Sequence, residues 1–171
     1  MLVNGKRGIG IMELQNEVQT ANKQNANSIA NDFEGVVYAS LTFTAKDLDP
    51  AKISETLGMK PELSFKRGEV RKDGKRIWSH GAWHVSSSDN INSKDLIVHI
   101  NWMIDQLNPV KEELAGIVSQ KEMNSLISCF WIMPQGPNQL QFSPEMLYAL
   151  SEFGINVEFY FYPPEKNVEM D

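Results

Sequence analysis

One cysteine, Cys129, is the only thiol in the chain. An internal disulfide framework is therefore excluded, and the count suits a reducing, cytoplasmic compartment. Long apolar runs are missing too: no stretch approaches the ~18 residues of a membrane-spanning helix, so no membrane partner is expected. Lys6 and Arg7 stand near the N-terminus, but glycine and polar residues break up the segment after them, so no secretory signal is expected. Basic charge is scarce. Sixteen Lys and Arg face 22 Asp and Glu, giving a formal net charge of −6. That balance argues against nucleic acid as a general partner, because phosphate affinity rests on a basic footprint. Absent as well are an HExxH pair, paired CxxC motifs, a GxSxG elbow and the Gly-Lys-Ser/Thr order of a phosphate loop. "GKRGIGIM" near the start is glycine-rich but follows no strand.

What is there supports one domain. The 171 residues are 42% apolar and 22% charged, enough to bury a core at ordinary globular composition. Residues 1–33 stand apart, rich in Asn and Gln. Leu14, Val18 and Ala21 have helical spacing but make too thin a stripe for an ordered helix. They read as a mobile arm or weak docking helix, and Met12 offers an alternative start. Residues 34–163 carry the domain, and 164–171 read as a disordered polar tail.

Within the domain, "VVYASLTFT" alternates as a half-buried strand, with Val37, Ala39, Leu41 and Phe43 on one side and Tyr38, Ser40 and Thr42 on the other. "LDPAKISETLG" then predicts a helix capped by Asp49, opened by Pro50 and stopped by Gly58. "ELSF" and "RIWSHGAWHVS" read as extended segments around a turn at Lys72-Asp73-Gly74. "NSKDLIVHINWMIDQL" predicts a helix with a capping box from Asn92 to Asp95 and a stripe of Leu96, Ile100, Met103 or Ile104, and Leu107. Asn108-Pro109 kinks it or opens a fresh helix carrying Val110, Leu114 and Ile117. "LISCFWIM" reads as a central strand covered on both faces. Ser143-Pro144 starts a further helix with Leu147, Leu150 and Phe153, and "INVEFYFY" closes as a strand with Ile155, Val157, Phe159 and Phe161 inward. The expected class is α+β: two β-α-β units forming one largely antiparallel sheet with helices packed on it, ferredoxin-like in layout.

The segments "YASLTFTAKDLDPAKISETLGMKP", "KRGE", "HGAWHVSSSD", "NWMIDQLNP", "LISCFW" and "FSPEMLYALSEFGINVEFYFY" together resemble an uncharacterised bacterial family, catalogued as domain of unknown function 4279. The resemblance covers about residues 36–162 and implies a single α+β domain. The family brings no agreed catalytic residues, so none are carried over.

No catalytic constellation stands out. His80 and His84 lie four apart, but on a strand that spacing puts them about 13 Å apart, too far to share one ion. No metal or cofactor is expected. Cys129 sits mid-strand as a buried thiol, and Ser86, Ser87, Ser88 and Asp89 suit turn and capping duty. The exception to the acidic composition is residues 65–85, "FKRGEVRKDGKRIWSHGAWHV". Six cations there face Glu69 and Asp73, a local balance of +4 that leaves −10 elsewhere. Such a charged hairpin can simply keep an edge strand from pairing with other chains. It can also be a contact site for an anionic partner, built from Lys66, Arg67, Arg71, Arg76, Trp78 and His80. Strand parity puts Trp83 in the core and leaves Trp78 on the opposite side, partly exposed.

The leading expectation is a non-enzymatic binding protein, an inhibitor or immunity-type partner of another protein, using the basic hairpin or the acidic surface. The alternative is a module for a small anionic ligand. A third reading is an enzyme whose site assembles in space around His84 and Asp89. A homodimer is compatible with all three.

Overall fold

The computed structural model describes residues 36–71 and 74–163. The expected arm over residues 1–33, the tail over 164–171, and Lys72 and Asp73 of the hairpin turn lie outside the described residues. In chain order the elements are β1 (Val37–Ala45), α1 (Pro50–Leu57), β2 (Leu63–Phe65), β3 (Gly81–Ser86), α2 (Leu96–Leu107), a 3-10 turn (Asn108–Val110), α3 (Lys111–Val118), β4 (Asn124–Ile132), α4 (Pro144–Glu152) and β5 (Asn156–Tyr162). The strands form one mixed sheet in the order β2-β3-β1-β4-β5. Three of its four pairings are antiparallel; β4 and β5, joined through α4, run parallel. The class is α+β.

Local chemistry explains the helix ends. Asp49 accepts from the Ala51 N–H, Pro50 follows at the first helical position, and Gly58 closes α1 at φ 63°, where a side chain would be strained. Ser143 accepts from the Met146 N–H ahead of Pro144. The second helix differs from expectation: its N-cap is Asp95, accepting from the Ile97 N–H, and not Asn92. Asn92 and Ser93 belong to the loop before it. Asn108-Pro109 forms a 3-10 turn that hands the chain to α3.

One face of the sheet and the helices share the core. Ala39, Leu41 and Phe43 of β1, Trp83 and Val85 of β3, and Ile127, Cys129 and Trp131 of β4 pack with Ile53, Leu57, Ile100, Met103, Leu107, Leu114 and Leu150 from the helices. Two strand expectations are corrected by the strand order. The middle strand is β1, buried on both faces along nearly its whole length, whereas β4 lies fourth and is only partly buried at its ends. The last strand is an edge, so Phe159 and Phe161 share the helix face with Trp131 and Cys129 yet stay 36% and 46% exposed. In α4 the buried stripe is Met146, Leu150 and Phe153; Leu147 is exposed.

Gly81 begins β3 against the loop leading into α1. A Cβ there would lie 2.6 Å from the Leu48 carbonyl oxygen and 3.0 Å from the Leu48 Cβ. Backbone cannot retreat as a side-chain tip can, so Gly81→Ala is expected to cost about 1–3 kcal/mol through overpacking. A lowered urea midpoint with unchanged slope is the expected reading; a midpoint equal to wild type would show that the loop yields freely.

Candidate functional site

The basic hairpin forms between β2 and β3. Gly68 N–H donates to the Trp78 carbonyl, Trp78 N–H to Glu69, and Arg71 N–H to Arg76, with Val70 and Ile77 bridged across it. Its aromatic residues fold onto the sheet face away from the helices. Trp78 stacks on Phe65 at 3.6 Å between ring centroids and 9° between planes, and both pack on Ala82. His80 meets both rings edge-on. Arg71 places its guanidinium 4.1 Å from the Trp78 ring centroid, closing a cation-aromatic-aromatic stack. Trp78 is therefore 5% exposed, which corrects the expectation that one of the two tryptophans would be partly open. Parity does separate Trp78 from Trp83, but the hairpin builds a second small core over its own side.

The hairpin's first cations are engaged at home. Lys66 lies 3.0 Å from Asp49, and Arg67 lies 3.1 Å from Asp47, so the loop before α1 supplies both counter-charges. The Lys66 hydrogen bond leads the effects that hold the Asp49 carboxyl below its usual range. Arg76 lies on the exposed outer part of the hairpin. The structure thus brings Phe65, Arg71, Trp78 and His80 together, while Lys66 and Arg67 turn to the α1 loop.

Cys129, Ser87, His84 and His99 are buried. Cys129 is sealed in the core, and burial pushes its thiol up to about 12. Ser87 accepts from the Ala39 N–H at 2.9 Å and meets His99 Nδ1 at 2.7 Å, while His99 Nε2 lies 2.9 Å from the Ser93 carbonyl. A carbonyl can only accept, so Nε2–H donates to Ser93, and Nδ1 meets the Ser87 hydroxyl. This pair ties β1, the loop after β3 and α2 together, with no open face for a substrate. Ser88 and the Asn90 amide both bond back to Ser86 at the end of β3.

His84 differs. Its Nδ1 lies 2.9 Å from the Thr42 hydroxyl, its cross-strand partner, but its buried Nε2 has no hydrogen-bond partner. The Glu62 carboxylate, 4.0 Å away, is beyond hydrogen-bond reach. Burial pulls the imidazole down to about 4. Glu62 is pushed up, first by burial and then by Asp89, so Asp89 acts on this corner through Glu62. Around it, Ser40, Ser86 and Ser128 line up across three strands, and Tyr38, Phe130 and Tyr162 stack beside them. Burial raises the Tyr38 phenol, with Tyr162 and Glu62 adding to the shift.

The β5 edge is the exposed surface that sequence reasoning placed inside. Phe159, Phe161 and Tyr162 stand 36%, 46% and 41% exposed. Phe159 stacks on Phe161 and meets Phe142 edge-on; Phe161 meets Trp131. On the other face the Tyr160 hydroxyl donates to Glu158. The sequence does carry one signal for it: between Lys121 and Lys166 there is no Lys, Arg or His, only Glu122, Glu145, Glu152, Glu158 and Glu165 as charges.

Among the described residues no three His, Cys, Asp or Glu side chains gather as metal ligands, and no helix is long and apolar enough to cross a membrane. No curated protein and no solved structure matches the chain. The profile of a family described as a domain of unknown function (DUF4279) matches residues 36–164, three quarters of the length. The chain belongs to that family.

Proposed function

We propose that the protein is a non-enzymatic protein-binding module of the inhibitor or immunity type, acting in a reducing compartment such as the cytoplasm. The observation that carries this reading is the aromatic β5 edge, where Phe159 and Phe161 on one face and Tyr162 on the other are exposed along a strand whose one charge is Glu158. Exposed aromatic side chains are the usual anchors of protein interfaces, and acidic surroundings steer a basic partner toward them. The occupied Ser87–His99 pair and the sealed Cys129 leave little for covalent catalysis. A ferredoxin-like layout is part of the proposal. It is supported by the order β2-β3-β1-β4 with every pairing antiparallel, β5 being an addition beside β4.

The small-anion reading is weaker, because Lys66 and Arg67 already hold carboxylates. The test is affinity capture by the full chain in its native host, followed by reconstitution from purified components. A stoichiometric protein complex is expected. Failure to reconstitute any complex, or turnover of a small molecule by the chain alone, overturns the proposal.

A further inference from the structure

The two edges of the sheet are built differently. The β2 edge is three residues long and flanked by Glu62, Lys66 and Arg67, the short charged form that discourages pairing. The β5 edge is seven residues long, with no Lys, no Pro and the single charge of Glu158. Its backbone is also set for pairing. The Tyr162 carbonyl accepts from the Met133 N–H, beyond the end of β4, so the backbone groups of Tyr162 point inward. Within a strand these groups alternate sides, so those of Glu158 and Tyr160 point inward as well. Val157, Phe159 and Phe161 then turn their N–H and C=O groups outward, a row of donors and acceptors along an edge that no other described strand covers.

Side chains define what would fit beside that row. On the helix face lie Phe159 and Phe161, which call for apolar neighbours. On the other face lie Glu158, Tyr160 and Tyr162. There a carboxylate and phenol rings favour Lys or Arg through charge pairing and cation-π contact. Resting on the protein-binding reading above, we propose that the outer edge of β5 is a strand-addition site for an extended partner segment of about seven residues that alternates apolar and basic side chains. The backbone row supplies affinity, and the two unlike faces fix register. A second copy of the chain fits less well. Antiparallel pairing of two β5 strands brings no cation to either Glu158, and each copy carries a net −6.

The test uses the full chain and three synthetic capped peptides of seven residues: alternating Lys with Val or Ile, the same with Glu for Lys, and the Lys peptide N-methylated at alternate positions. The Lys peptide is expected to bind about tenfold tighter than the Glu peptide, and Glu158→Lys to remove that preference. Bound peptide slows amide exchange at Phe159 and Phe161 and leaves Glu158 and Tyr160 unchanged. Equal binding of the N-methylated peptide, or unchanged exchange at Phe159 and Phe161, overturns the proposal. So does concentration-dependent dimerisation abolished by Phe161→Lys, which would assign the edge to a second copy. If a reconstituted host partner binds Glu158→Lys and Phe161→Lys chains as well as wild type, strand addition at β5 fails while the protein-binding reading stands. If no partner reconstitutes, that broader reading fails.

Discussion

Trp83→Ala is expected to destabilise the protein by about 3–5 kcal/mol. The residue is fully buried in β3 and faces the helices, with its cross-strand partner Phe43 at 5.8 Å between ring centroids. Its indole N–H also donates to the Ser54 hydroxyl of α1 at 2.9 Å, so one side chain joins the sheet to a helix by packing and by a hydrogen bond. Truncation leaves a cavity that close-packed neighbours fill only in part, and it strips Ser54 of its donor. Two further variants divide the effect. Ser54→Ala removes the hydrogen bond alone and is expected to cost about 1 kcal/mol. Trp83→Phe keeps much of the volume and falls between the other two. Chemical denaturation of all three is the measurement. A Trp83→Ala loss no larger than that of Ser54→Ala would mean that the core around Phe43 collapses onto the vacated space.

Legibility in the sequence followed local chemistry. The Asp49-Pro50 and Ser143-Pro144 starts and the Gly58 stop were readable because each cap is made within a few residues. The alternation of β1 was readable too, since parity is a property of the strand alone. What failed depended on lateral order. A strand's own residues do not say whether a neighbour covers its second face. So β1 read as half-buried although it lies in the middle, and β5 read as inward-facing although it lies at the edge. Asn92 lost the cap to Asp95 for a related reason. Both were competent acceptors, and His99 anchors the preceding loop by bonding the Ser93 carbonyl.

The candidate site shows the same division. Charge clustering marked residues 65–85, yet it could not reveal that Asp47 and Asp49 lie opposite Arg67 and Lys66, or that Arg71 would lie on Trp78. The two ion pairs join segments separated by a helix and a strand, and the Arg71–Trp78 contact forms only once the hairpin has closed. The cation-free text after Lys121 was the complementary signal, an absence spread along the chain. It becomes a surface only once β5 is known to be the last strand of the sheet.

Acidification is expected to remove about 3 kcal/mol of stability through His84. The folded imidazole is pulled from 6.5 down to about 4 because charging it would strand a cation in the sheet. In the unfolded chain it titrates near 6.5, so between those values the unfolded state binds more protons. Stability from this group is therefore complete above the unfolded value, falls as pH drops through the window, and levels off below the folded one. A gap of one pH unit between folded and unfolded titration corresponds to about 1.4 kcal/mol. Glu62 offers a counter-charge, but at 4.0 Å it makes no hydrogen bond, and its own burial favours its protonated form. Its raised carboxyl acts in the opposite sense, gaining stability as pH falls, so the His84 contribution must be isolated by difference. Thr42, the hydrogen-bond partner of His84, does not titrate. His84→Gln keeps a polar group for Thr42 and removes the titration. The gap in unfolding free energy between wild type and His84→Gln, measured from about pH 7 to about pH 4, is expected to shift by about 3 kcal/mol in favour of the variant. Parallel curves would mean that the folded protein holds the imidazolium without penalty, and that Glu62 closes on it when it charges.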